Sequence, residues 1–177
     1  MRLNGASLTV AAGLVLLVTG SAFAAAELGD SDASLKGKFR FSLNKSCTDT
    51  ATGQTLHLYL IGVTTYDGNG HATLTERGTL LFSNSQSVVT FEDKANLTYQ
   101  VKPNGSFTQE GIFTATDGSY TLTGAKIVGQ IDAQGSVLIL SAAIPPVLET
   151  LSFSVGGHSE RHCGASGTAV RIDQDQE

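Results

Sequence analysis

Basic charge is in short supply in this chain: 11 Lys and Arg stand against 16 Asp and Glu, for a formal net charge of −5. The basic side chains are scattered singly from Lys36 to Arg171, so no stripe exists to neutralise phosphates, which argues against nucleic-acid binding. Long apolar runs are also missing. Beyond the N-terminus nothing approaches the roughly 20 apolar residues a membrane helix needs, so stable membrane insertion is not expected. Helical periodicity is nearly absent, and the one plausible short helix is "PPVLETL", where Pro145 or Pro146 could start a turn. Only two cysteines and four histidines are available for metal, redox or nucleophilic chemistry.

What is present begins with a leader. Met1 and Arg2 run into "LTVAAGLVLLVTG", followed by Ala22-Phe23-Ala24, the small-x-small pattern that a signal peptidase reads. Cleavage after Ala24 is expected, with no cysteine behind the cut to carry a lipid. The product is exported, periplasmic or secreted. The predicted organisation is a signal peptide over 1–24, a flexible segment over 25–36, one domain over 37–173 and a polar tail over 174–177. Export changes the reading of Cys47 and Cys163, because oxidising compartments let disulfides persist and two cysteines most economically pair.

From Lys38 the chain alternates. "KFRFSLN" sets Phe39, Phe41 and Leu43 on one side, and "TLHLYLIG" does the same with Leu56, Leu58 and Leu60. "LTYQV" and "LSFSV" repeat the pattern with Leu97, Tyr99 and Val101, and with Leu151, Phe153 and Val155. This is the period-2 signature of half-buried strands. Less regular candidates cover 70–77, 79–83, 86–91, 106–113, 119–131, 136–142 and 167–172. Between them stand "YDGNGH", "KPNGS", "TDGS" and "DAQGS", turns in which Gly and Asn supply the positive φ that tight hairpins require. About ten short hairpin-linked strands without crossover helices predict an all-β domain. The expected architecture is an antiparallel up-and-down β-barrel, which removes edge strands, with a β-sandwich as the alternative. Phe39, Phe41, Leu58, Tyr99, Phe107, Phe113, Tyr120 and Phe153 are the inward candidates, enough to fill a small barrel without leaving a cavity.

The stretches "YDGNGHATLTERG" and "VKPNGSFTQEG", with the closing "CGASGTAVRI", resemble a group of small exported bacterial proteins with a calycin-like, or allene-oxide-cyclase-like, β-barrel. The resemblance covers about residues 36–173 and rests on hairpin motifs. It implies a barrel that holds an apolar ligand, and it carries over no catalytic residue.

The stretch with the densest chemistry is "VGGHSERHCG" at 155–164. His158 and His162 would share a helical face, as in zinc peptidases, but Gly156, Gly157 and Gly164 leave no room for a helix. On a strand, at about 3.3 Å per residue, the two backbones lie about 13 Å apart, too far for one zinc ion bound at about 2 Å. His57 and His71 are the only other imidazoles, so no metal site is expected and solvated loop or strand-face positions are. Ser159 and Ser166 lie near the histidines without a nucleophile elbow. Asp67 and Asn69 match the start of a calcium loop, which His71, Ala72 and Gly78 then break. Glu76 and Glu110 follow comparable turns and would form a carboxylate pair, or polar ligand anchors, if both faced inward.

The expected function is therefore non-enzymatic, either binding of a small apolar ligand, with Tyr99, Phe113, Glu76 and Glu110 as candidate contacts, or an envelope accessory role. No catalytic residue, metal or cofactor is assigned. The rivals are an isomerase- or cyclase-type barrel enzyme and a structural or adhesive surface protein.

Overall fold

The computed structural model describes residues 31–83, 85 and 87–172. The leader, residues 25–30 and the tail over 174–177 lie outside the described residues. Ten strands follow a short 3-10 turn at Ser31–Ser34: β1 (Lys36–Asp49), β2 (Thr55–Asp67), β3 (His71–Phe82), β4 (Val88–Val101), β5 (Ser106–Ala115), β6 (Tyr120–Thr123), β7 (Lys126–Ile131), β8 (Val137–Ala142), β9 (Leu148–Phe153) and β10 (His158–Arg171).

The sheet is antiparallel throughout and closes on itself, since β10 pairs with β1 along Phe39–Asp49. Around its circumference the ten strands occupy eight positions. β5 pairs with β7 through its first half and with β6 near its end, while β10 pairs with β9 through its first half and β8 through its second. The order is that of an up-and-down meander, and it is a barrel rather than a sandwich.

Alternation along the strands decides what faces in. Phe39, Phe41, Leu43, Lys45 and Cys47 of β1 are buried, whereas Arg40, Ser42, Asn44 and Ser46 between them are exposed. The same rule buries Asp93, Ala95, Leu97, Tyr99 and Val101 of β4. Full burial of an apolar side chain contributes about 1.5–3 kcal/mol, and Phe39, Phe107, Leu35 and Leu138 all reach it. Glycine at an inward position lets a large ring cross the axis. A Cβ on Gly129 would sit 2.1 Å from the Ile139 carbonyl oxygen and 2.5 Å from the Phe107 ring.

Several expectations need correction. The candidates at 70–77 and 79–83 are one strand, β3, and those at 86–91 and 97–101 are one strand, β4. The single candidate over 119–131 is instead split by Gly124, whose φ of +78° and close approach to the Leu148 carbonyl bend the wall. "PPVLETL" is not helical. Ile144–Pro145 is a cis peptide, and β9 is hydrogen-bonded on both flanks, to β6 and to β10, which a single helical turn could not match. "HSERHCG" is the start of β10, where His158 and His162 take exposed strand-face positions, one of the two placements expected. Within the segment expected to be flexible, residues 31–36 are tied to the barrel, because Leu35 is fully buried and Asp32 accepts a hydrogen bond from the Val101 amide at 2.6 Å.

Cys47 and Cys163 face each other across β1 and β10 and are joined as a disulfide that closes a loop of sequence separation 116. In the chain-entropy view such a loop removes denatured-state freedom equivalent to about 5 kcal/mol. No helix among the described residues is long and apolar enough to cross a membrane.

Candidate functional site

The two ends of the barrel are built differently. At the lower end lie the β2–β3, β4–β5 and β7–β8 turns and the 3-10 turn, and there three rings form a floor. Tyr66 meets Phe39 edge-on at 5.5 Å and Tyr99 at 5.0 Å. The Tyr66 hydroxyl donates to Gln109 Oε1 at 2.6 Å, and the Tyr99 hydroxyl donates to the Leu35 carbonyl at 2.8 Å. Burial pushes the Tyr66 phenol above its ordinary range, so it stays a neutral donor.

Above the floor the inward side chains no longer fill the space, leaving a cavity of about 1120 Å³. Leu58, Leu60, Phe91, Phe113, Leu122 and Leu151 supply its apolar lining. Its polar groups stand on two walls. On one, Lys45 of β1 and Arg161 of β10 both contact Glu149 of β9: Lys45 Nζ lies 2.5 Å from Oε1 and Arg161 Nε lies 3.1 Å from Oε2. All three are buried. Glu149 Oε2 also lies 3.2 Å from Cys163 Sγ, so the ion pairs rest against the disulfide. Desolvation lowers the Lys45 pKa against the attraction of Glu149, with the Arg161 charge adding to the lowering.

The other wall is acidic. Glu76 of β3 and Asp93 of β4 are directly opposed neighbours in the ladder. Such pairs bring Cβ atoms to about 4.5–5.5 Å, and like charges there repel. Burial first, and the Asp93 charge second, raise the Glu76 carboxyl to about 7. Burial also raises Asp93, although a hydrogen bond from Tyr120, 2.5 Å long, works in the opposite direction. A carboxyl near neutrality inside a partly apolar cavity can bind as donor or acceptor and can move a proton.

Of the expected contacts, Phe113 and Glu76 line this cavity. Tyr99 lies beneath it, in the floor. Glu110 is on the outer face, where its carboxylate pairs with Lys126 at 3.2 Å; the expected Glu76–Glu110 pair does not form, and Asp93 stands in its place. His57, His71, His158 and His162 are exposed, and His57 Nδ1 is 2.7 Å from Ser46 Oγ. Ser159 donates to Asp49 at 2.6 Å. Phe153, expected inside, is 40% exposed at the upper rim. The expectation that the aromatic side chains fill the interior fails for the upper half.

Lys45, Asp93, Glu149 and Arg161 were not singled out in the sequence, yet three of them share a strand face with an apolar series: 39, 41, 43, 45; 93, 95, 97, 99; and 161, 163, 165. Continuing the alternation into charged residues was the available signal. Cys47, Glu149 and Cys163 bring ligand-type atoms within 4.8 Å of one another. They do not suit a metal as they stand, because the sulfurs are bonded to each other and the carboxylate is held by two cations.

Fold and site thus define a closed antiparallel barrel with a charged, partly apolar interior cavity. No family model matches the chain, and no curated protein matches it. Among solved structures, the barrel EF1p2_mFAP2b bound to DFHBI aligns at 13% identity and TM-score 0.39, over 81% of this chain and 98% of that one. The redesigned β-barrel mFAP1 bound to DFHBI aligns at 14% identity and TM-score 0.36, over 80% and 99%. At these values the alignments say nothing about chemistry.

Proposed function

We propose that this protein is a non-enzymatic binder of a small, largely apolar molecule, held in the upper half of the barrel, and that it works outside the cytosol. The carrying observation is the cavity of about 1120 Å³, lined by leucine and phenylalanine with a few converging polar groups. Sites for small molecules commonly occupy about 300–1,000 Å³ and have this mixed lining. The floor of hydrogen-bonded aromatics closes one end, so a ligand would enter from the other. The disulfide and the leader-like N-terminus support export. Of the four groups that would favour an enzyme, Glu76, Glu110, His57 and His71, only Glu76 faces the cavity, so binding has the better support.

The test is Nile red binding, combined with solvent extraction and mass spectrometry of the purified protein. Wild type should bind the dye or release a bound apolar molecule. Leu58→Trp, which places an indole in the cavity, should abolish dye binding while the β-sheet circular dichroism spectrum is retained. A folded wild-type protein that yields no extract and binds no dye would sink the proposal.

A further inference from the structure

We infer that the ligand is an amphipathic monocarboxylate, its carboxylate seated on the terminal nitrogens of Arg161 beside Lys45 and its hydrocarbon part among the leucines and phenylalanines of the cavity. This rests on the binding function proposed above and specifies the chemistry of the same site.

Arg161 is 6% exposed and lines the cavity. Its Nε is engaged with Glu149. No fully buried side-chain nitrogen or oxygen among the described residues lacks a partner, so the terminal nitrogens of Arg161, which Glu149 does not engage, are reached by solvent from the cavity, where their N–H donors can meet a ligand oxygen. A carboxylate oxygen taking the place of solvent there makes charge-assisted hydrogen bonds in a partly apolar cavity, where they are stronger than in water. Lys45 and Arg161 bring two positive charges to the single carboxylate of Glu149. Their wall therefore carries one positive charge in excess, the complement of a monoanion.

Geometry narrows the head group. The guanidinium fork presents parallel donors that match the two oxygens of a carboxylate. A phosphate dianion would overshoot the excess charge and meet the Asp93 carboxylate on the facing wall. A primary amine would be repelled by Arg161 and Lys45 and is left with the acidic wall, where Asp93 is already engaged by Tyr120. Asp93 already accepts from Tyr120, and Glu76 holds its proton more readily than an ordinary carboxyl, which limits repulsion of an incoming anion from that wall.

The experiment uses the delipidated full-length protein and displacement of Nile red by four amphiphiles of one chain length: dodecanoic acid, its methyl ester, dodecylamine and dodecyl phosphate. The acid should bind at least about tenfold tighter than the ester, as one charge-assisted hydrogen bond implies. Arg161→Met should bring the acid down to the affinity that the ester has for the same variant. If that variant does not fold, Arg161→Lys, which keeps the charge and loses the fork, should still reduce the acid at least several-fold. An ester, amine or phosphate that binds as tightly as the acid overturns the inference, as does an acid preference that survives undiminished in a folded Arg161 variant. If no amphiphile and no dye binds, it is the binding function itself that fails.

Discussion

The lower and upper halves of this barrel are made from the same strands with the same alternation, yet one is finished and the other is open. Below, the polar groups of the floor are paired within the protein: Tyr66 with Gln109, Tyr99 with Leu35, Asp32 with Val101. Above, Lys45 and Arg161 both contact Glu149, but among the described residues Glu76 has no hydrogen-bond partner, and Arg161 turns nitrogens that Glu149 does not engage towards the cavity. The difference lies in which side chains the alternation turns inward. β1 contributes Phe39 to the floor and Lys45 to the upper half, so one sheet geometry gives a packed plug at one end and a cavity at the other. A barrel wall supplies position, and inward identity decides whether a place is structural or able to bind.

The largest expected effect breaks the charged wall. Glu149→Gln leaves Lys45 and Arg161 buried without their shared carboxylate, and breaking a buried pair from one side typically costs about 3–5 kcal/mol. Urea denaturation with an unchanged m-value should show that loss. A change under about 1 kcal/mol would mean that water already screens the upper half.

The next effect is carried by pH. Burial first and the Asp93 charge second raise the Glu76 carboxyl in the folded state to about 7, from an ordinary value of 4.5. Its pKa is raised, so the folded state holds the proton longer than the unfolded chain, and stability falls as pH rises from about 4.5 to about 7. At about 1.4 kcal/mol per unit, the shift corresponds to about 3 kcal/mol. Glu76→Gln should remove this part of the slope and be the more stable protein at pH ~8. Asp93, also raised by burial, leaves a remainder of the same sign. Parallel pH–stability curves for the two proteins between these limits would refute the assignment.

The barrel was legible in the sequence because its evidence is local and repeated: apolar alternation at Phe39–Leu43, Leu56–Leu60 and Leu97–Val101, with glycine turns between. The pairing of Cys47 with Cys163 followed from compartment and count, and the structure contains it. The site was less legible. Glu76 and Glu110 looked alike by their distance from a turn, but one faces in and the other faces Lys126 across β5 and β7. Asp93 becomes its neighbour only through the β3–β4 register, which depends on where the loop between them ends. Charged residues at inward positions read as breaks in the pattern rather than as its continuation, which is why Lys45 and Arg161 escaped notice. The split at Gly124 and the strand at Leu148–Phe153 were hidden for a different reason, since proline and glycine there shape a wall whose stability comes from partners distant in sequence.

The smallest expected effect separates floor from cavity most cleanly. Tyr99 was a candidate ligand contact, but its hydroxyl donates to the Leu35 carbonyl and its ring packs edge-on against Tyr66. Tyr99→Phe keeps the ring and removes the donor, leaving a buried carbonyl with one bond fewer, at a cost of about 1–2 kcal/mol. If the floor is purely structural, the whole change should appear in denaturation and none in the affinity for an apolar dye. A loss of dye binding at undiminished stability would place Tyr99 in the binding site and remove the boundary between the two halves. The hydroxyl also ties the segment before β1 to β4, so the variant should expose the backbone around Leu35 to faster amide exchange while the amides of β9 and of the first half of β10 keep their protection. That contrast would show that the lower end is held shut by its own hydrogen bonds and not by whatever occupies the space above it.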